Sequence, residues 1–368
     1  MSFIPLMRPN ITEDDIKTVC EVLRSGMLVQ GKHVEQLENR LIQTFQGKFA
    51  SALSNGTATL HLALKVLGIG PGDEVIVPAF SFMATANVVE LIGATPVFVD
   101  IDIDTFNIDP TLIEAAITTR TRAIIPVHEF GLSAEIGEIM NIAAKYSLHV
   151  IEDAACALGA TENGRHVGTF GDFGSFSFHP RKAITTGEGG ALLTNKPDLH
   201  KTVQILRNHG IQMKDGEIDF SDFGYNYRLT DFQAALFNSQ FARLPQIIET
   251  RQKLAAIYLS ELKAYPQFKL PSVPPGKNHT WQTFHILIPD YIDRGNVIEK
   301  MRSYGIGTNY GAQCMPFMNS FRRKYNLDCH RHFPNALKAY LQGLALPLYE
   351  GLTPQDIHVC VNTLIKST

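Results

Sequence analysis

The sequence predicts an α/β fold: a mainly parallel central sheet with helices on both faces, followed by a smaller C-terminal α+β domain. Three observations carry this. Strand-like apolar runs at residues 75–80, 95–99, 122–128 and 148–151 alternate with helical patterns at 83–92, 110–117 and 135–146, the mark of parallel strands joined by crossover helices. The 75–80 run is densely apolar, as a strand covered on both faces should be. A loop rich in proline and lysine at 266–278, with Gly276 near its end, separates this alternation from the rest. At 368 residues the chain is long enough for two domains, expected at 1–250 and 251–368.

In chain order, residues 12–26 read as a helix. Thr12 can cap it, Glu13 to Asp15 suit its positive end, and Ile16, Val19, Val22 and Leu23 form an apolar face. Gly26, Gly31 and Lys32 then have the spacing of a nucleotide-triphosphate loop, G-x-x-x-x-G-K. The pattern fails beyond that. His33 stands where Ser or Thr should bind magnesium, and a helix rather than a strand precedes it. The stretch therefore reads as a turn before a second helix, 33–45. Residues 50–53 are a short apolar run, and S-N-G-T-A-T leads from it into a helical stretch at 60–67. Strand, small-residue turn and helix start together make an anion site, where free N–H groups and the helix dipole converge. The plain alternative is an ordinary helix cap. Phe82 follows the 75–80 strand and is either core or part of a site.

Ligands of such sheets sit beyond the carboxyl ends of the strands. Residues 55–57, Phe82, His128, Asp153 and Ser177 all fall at or just after those ends. R-N-H-G at 207–210 and G-Y-N-Y-R-L-T-D at 224–231 read as loops flanking a polar, acidic stretch. Thr230 caps a helix at 231–243, and a longer helical run reaches about 262. Residues 280–289 alternate enough for a strand, 294–304 look helical, and 333–366 read as helix or loop around A-L-P-L-Y. There is no internal repeat and no low-complexity segment.

Bulk properties narrow the function classes. The chain is 45% hydrophobic and 19% charged, with a net charge of -3. It has no basic run or patch, so nucleic-acid binding is not expected. Five scattered cysteines show no metal-type pairing and suit a reduced cytoplasm. No metal site is expected. No signal peptide and no membrane span are expected either.

The chemistry concentrates between residues 151 and 195. The segment I-E-D-A-A-C-A-L-G-A places Asp153 after the 148–151 run. A second β-like run at 175–178 then leads through S-F-H-P-R-K into Lys182, followed by Gly187, Gly189 and Gly190. A lysine in a loop ordinarily faces solvent. This one lies between a β run and a glycine cluster, in register with Asp153. An amine and a carboxylate at neighbouring strand ends suit pyridoxal 5'-phosphate (PLP), which needs a lysine for its Schiff base and an acidic partner for its ring nitrogen.

In these segments, Asp153, the run ending at Lys182 and the G-E-G-G of 187–190, the chain resembles the nucleotide-sugar aminotransferases of the DegT/DnrJ/StrS type. The likeness runs from about residue 4 to the C-terminus and is strongest between 50 and 235. It implies the PLP-dependent transferase fold of type I aminotransferases. It also implies Lys182 as the cofactor-bearing amine, Asp153 at the pyridine nitrogen and Phe82 stacked on the ring. The PLP phosphate would lie at Gly56, Thr57 and Ala58, with Ser177 bonding it. Asn226 would reach the phosphate of a neighbouring subunit, so a homodimer is implied. L-glutamate would be the donor and a nucleotide-linked keto-deoxy-sugar the acceptor, with PLP and pyridoxamine 5'-phosphate (PMP) alternating. Lys182 must be neutral to move protons, and desolvation or the cofactor's charge should lower its pKa.

One position departs from the family. Where a glutamine often contacts the cofactor's phenolic oxygen, this chain has Cys156, a weaker hydrogen-bonding group. His128, His179, Arg228 and Tyr310 are candidates for the substrate side, although each histidine reads equally well as structural. Two rivals share the architecture. A PLP-dependent sugar dehydratase would carry histidine in place of Lys182. A non-catalytic regulatory homologue would need a DNA-binding element or a lost lysine. A Rossmann oxidoreductase would need a G-x-G-x-x-G that S-N-G-T-A-T does not supply.

Overall fold

The computed structural model describes residues 3–368. Its main sheet has seven strands: β1 (Phe49–Leu53), β2 (Glu74–Pro78), β3 (Thr95–Val99), β4 (Thr121–Ile124), β5 (His149–Asp153), β6 (Phe173–Ser177) and β7 (Gly190–Thr194). They lie in the order β1-β7-β6-β5-β4-β2-β3. The block from β6 to β3 is parallel throughout. Strand β7 runs antiparallel to both β6 and β1, because a loop rather than a crossover helix joins β6 to β7. That loop carries Lys182. Two reversals leave β1 pointing the same way as β6, so the carboxyl ends of β1, β5 and β6 share one edge. Every residue of β2 and β7 is buried, in keeping with a sheet covered on both faces.

The first helix, Glu13–Ser25, starts at a Thr12–Asp15 capping box and stops at Gly26, whose φ of 73° is left-handed. The next helix, Lys32–Phe45, begins at Gly31, which has no side chain to cap it. Asp231 does that work from far along the chain. Its Oδ1 accepts the N–H groups of Gly31 at 3.0 Å, His33 at 2.9 Å and Val34 at 3.0 Å. The G-K-H turn is thus an anion nest filled by the protein's own carboxylate.

Four readings of the sequence change. The strand expected over 280–289 is confined to Phe284–Leu287. Trp281 is left-handed at φ 51°, and the N–H groups of Thr280 and Gln282 bond to the carbonyls of Gly131 and Phe130 instead of to a ladder. The partner strand, Gly343–Leu346, lies in the stretch read as helix or loop. Four residues ended by Pro347 are too short to show a period. The acidic stretch between the 207–210 and 224–231 loops holds a hairpin, Ile211–Lys214 with Glu217–Phe220. Finally, residue 250 falls inside a helix, Leu244–Leu262. The C-terminal core gathers residues from Leu254 to Leu364, and Ile4 and Met7 pack against it. Residues 312–339 instead join the core of the large sheet, and Gln313–Cys314 pairs with Phe80–Ser81. Among the described residues no helix is long and apolar enough to cross a membrane.

Candidate active site

A cavity of about 890 Å³ opens at the shared carboxyl edge of β1, β5 and β6. Gly56, Thr57, Ala58, Phe82, Asp153, Cys156, Ser177, His179 and Lys182 all line it. The C-terminal half closes it with Asn309, Ala345 and Leu348, and the N-terminal segment adds Leu6 and Met7.

Asp153 ends β5 and is 4% exposed. Thr85 Oγ1 donates to its Oδ2 at 2.8 Å, and the Ala155 N–H donates to its Oδ1 at 3.2 Å. Burial raises its pKa, and these donors together with Lys182 restrain the rise. Lys182 Nζ donates to Cys156 Sγ at 3.0 Å. Burial pushes the Cys156 thiol up, against the pull of the ammonium beside it. The expected fall in the Lys182 pKa is not found. Burial works against its charge, but Cys156, Asp153 and Glu129 outweigh burial and hold the amine above its ordinary value.

The start of the Gly56–Val66 helix forms an anion cradle. Asn55 caps it, its Oδ1 accepting the Ala58 N–H at 2.8 Å. The Thr59 N–H goes to the Asn55 carbonyl at 3.2 Å. Among the described residues the N–H groups of Gly56 and Thr57 have no partner. The donors of the cradle are therefore Gly56 and Thr57. Ala58, expected beside the phosphate, lines the cavity with its N–H on the Asn55 cap. A Cβ on Gly56 would stand 2.8 Å from Ser177 Cβ, so glycine brings the helix start against the end of β6. Phe82 hangs at the cavity mouth, 61% exposed.

Three residues expected on the substrate side lie elsewhere. His128, expected on the substrate side, has no exposed surface. Its Nδ1 accepts the Ala134 N–H at 3.1 Å, so Nε2 carries the proton toward Glu152 Oε2, also at 3.1 Å. Glu152 in turn accepts the N–H groups of Gly168, Phe170 and Gly171, which makes His128 a structural pin. Arg228 points away and bonds Asn208 Oδ1. Tyr310 packs beside Arg294 and Tyr340, while its neighbours Asn309 and Gly311 face the cavity. Asn226, expected to reach the phosphate of a neighbouring subunit, is exposed and outside this chain's own lining. Tyr225 and Tyr227 flank it and face inward, as alternate residues of an extended segment do. Their rings stack at 4.8 Å, and Tyr227 Oη meets His61 Nδ1 at 3.3 Å. His179 does line the cavity, with burial lowering its pKa.

The sequence reading missed Glu129, Ser81, Thr85, His61 and the two tyrosines. Glu129 is 4% exposed in the cavity wall, its Oε2 accepting from Ser81 Oγ at 2.8 Å. Burial pushes its carboxyl up to about 7, in spite of Ser81 and Lys182. A glutamate between P-V-H and F-G, directly after a strand, was the available signal.

The profile of the DegT/DnrJ/EryC1/StrS aminotransferase family matches residues 9–365. The uncharacterized protein MJ1066 of Methanocaldococcus jannaschii is 38% identical, over 99% of this chain and 97% of that one. The spore coat polysaccharide biosynthesis protein SpsC of Bacillus subtilis is 35% identical, over 96% of this chain and 94% of its own length. Among solved structures, Spr1654 of Streptococcus pneumoniae in its PMP form is similar at a TM-score of 0.94 and 30% identity, covering 99% of this chain and 97% of that one. Its PLP form gives the same TM-score. With the family profile spanning nearly its whole length, this chain belongs to the DegT/DnrJ/EryC1/StrS aminotransferase family.

Proposed function

We propose that this enzyme moves an amino group from L-glutamate to a keto-deoxy-sugar carried on a nucleotide, at carbon 4 or carbon 3. The product would be an amino sugar destined for a surface polysaccharide, a glycan or an antibiotic. Membership of an aminotransferase family supports the reaction class, and the polysaccharide role named for SpsC supports the sugar. PLP is the cofactor, alternating with PMP, in line with the two forms of Spr1654.

The observation that carries this reading is that the Lys182 amine and the Asp153 carboxylate wall one cavity. The residues present fit the cofactor. The unpartnered N–H groups of Gly56 and Thr57, with the Ser177 hydroxyl, would take its phosphate. Asp153, oriented by Thr85, would hold the proton on its ring nitrogen. Lys182 Nζ would anchor it, Cys156 would lie beside that amine, and Phe82 would cover the ring. When bound, the cofactor carries the amino group between donor and acceptor and draws electrons from the donor's α carbon. Lys182, once free, moves the proton at that carbon.

A homodimer completes the proposal. The 211–220 hairpin exposes Met213, Ile218 and Phe220, and Phe223 is 94% exposed beside Asn226, which supports a protein partner over this face. The five unpaired thiols support a cytoplasmic setting. Purified enzyme should show a visible cofactor band that shifts on addition of glutamate, and Lys182→Ala or Lys182→Arg should lose both the shift and turnover of a nucleotide keto-sugar panel. Near-normal turnover in either variant ends the reading. Sedimentation that finds a fully active monomer ends the dimer.

A further inference from the structure

The cavity lining carries three carboxyl groups, on Glu129, Asp153 and Glu188, and cofactor phosphate held at Gly56 and Thr57 would add negative charge. The proposed substrates are anions as well. Two side chains of the lining are lysine or arginine, Lys182 and Arg181. Lys182 is half-buried against Cys156 and serves the cofactor. His61 and His179 also face the cavity, but burial lowers the pKa of each below the ordinary 6.5, so both are neutral at pH 8. Arg181 is the cation that remains. It is exposed, and its guanidinium has no hydrogen bond or ion pair among the described residues. Its backbone is fixed on both sides. The Arg181 N–H donates to His179 Nδ1 at 3.2 Å, and its carbonyl accepts from Gln282 Nε2 at 2.9 Å. A buried residue of the C-terminal half thus holds this arginine at the cavity mouth.

Resting on the nucleotide-sugar reading of this site, we propose that Arg181 anchors a binding subsite at the cavity mouth, where its guanidinium takes the diphosphate of the nucleotide that carries the acceptor sugar. The planar fork of N–H donors matches phosphate oxygens two at a time. Position in the cavity decides between the two anionic substrates. In glutamate the α-carboxylate hangs on the carbon that reacts, so it lies beside the Lys182 amine, in the half-buried part of the site. In a nucleotide sugar the diphosphate hangs on carbon 1, on the far side of the ring from the keto carbon that receives nitrogen. With the keto carbon at the amine, the diphosphate points outward, to where Arg181 is exposed. Without Arg181 the diphosphate would meet a lining of carboxyls with no cation of this chain against them, and like charges brought together cost affinity.

The test is calorimetric binding of uridine, thymidine, guanosine and cytidine diphosphates to PLP-loaded enzyme, with the glutamate half reaction followed separately by the cofactor band. Wild type should bind at least one of the four. Arg181→Gln should weaken that binding about 10- to 100-fold, the usual worth of a hydrogen bond to a charged group. The glutamate concentration that half-shifts the band should stay within about twofold of wild type, since the loss falls on one substrate only. Arg181→Lys keeps the charge but not the fork and should fall in between; it decides the matter if Arg181→Gln does not fold. Added salt should weaken the diphosphate more in wild type than in Arg181→Gln. Diphosphate affinity in Arg181→Gln equal to wild type overturns the proposal. So does a loss confined to the glutamate half reaction, which would put the guanidinium on the donor's carboxylate. Wild type that shifts with glutamate but binds none of the four diphosphates overturns the nucleotide reading beneath the proposal, so the two failures are told apart.

Discussion

Gly56→Ala is the sharpest probe of the cradle. The added Cβ would lie 2.8 Å from Ser177 Cβ and 3.2 Å from Ser177 Oγ, and only at 3.5 Å from Ser177 Cα. The conflict is thus with one side chain, and both parties to it belong to the cradle. Relief requires the helix start and the end of β6 to move apart. Overpacking of this kind costs about 1–3 kcal/mol. Because the displaced groups are the phosphate donors, the cost should fall on cofactor affinity, as a loss of about 10- to 100-fold. Absorbance titration of PLP-free enzyme reads that loss, with urea unfolding run alongside to show that the fold is intact. A double-mutant cycle isolates the contact. Ser177→Gly weakens binding through its lost hydroxyl, but adding Gly56→Ala to it should cost nothing more. Affinity within twofold of wild type for Gly56→Ala, or an equal penalty in the Ser177→Gly background, refutes the argument.

Asp231→Ala strips the acceptor from three N–H groups at the start of the Lys32–Phe45 helix. A loss of about 3 kcal/mol is expected, roughly 1 kcal/mol for each bond, read as a lower urea midpoint with Asp231→Asn in between; a loss below about 1 kcal/mol contradicts the capping role. Glu129 gives a prediction about stability and pH. Its folded pKa, near 7, lies above the ordinary 4.5, so its contribution is fully present below about 4.5 and is lost as pH rises through 7. Glu129→Gln in PLP-free enzyme should therefore gain on wild type between pH 4.5 and 8, by about 3 kcal/mol. A constant difference across that range refutes the assignment.

The parallel block was legible because strands buried on both faces stay apolar along their length, as β2 shows, and because crossover helices leave a 3.6-residue period between them. The positions of Asp153, Ser177 and Gly56 on one edge follow from strand direction alone. What resisted reading depends on contacts between distant residues. Nothing local says that β7 reverses the sheet or that Gly343–Leu346 pairs with Phe284–Leu287. Glu129 was missed because a charged residue after a strand ordinarily meets water, whereas here it is buried against Ser81, 48 residues away in the chain. His128 misled for the opposite reason: a strand end aims its backbone at the cavity edge, but the ring turned inward to Glu152. Tyr225 and Tyr227 went unread because parity along an extended segment, which decides the side that faces this chain's cavity, depends on a register the sequence does not print.

The long reach of Asp231 has a consequence for synthesis on the ribosome. The group that seals the second helix stands 200 residues downstream of Gly31. At about 5–20 residues per second it emerges roughly 10–40 s later. Over that interval the apolar stripe of Val34, Leu37, Leu41 and Phe45 has neither its seal nor the Asp231–Phe241 helix it packs on, and β1 waits likewise for β7. The nascent N-terminal third thus carries apolar surface with no native partner until translation passes the middle of the message.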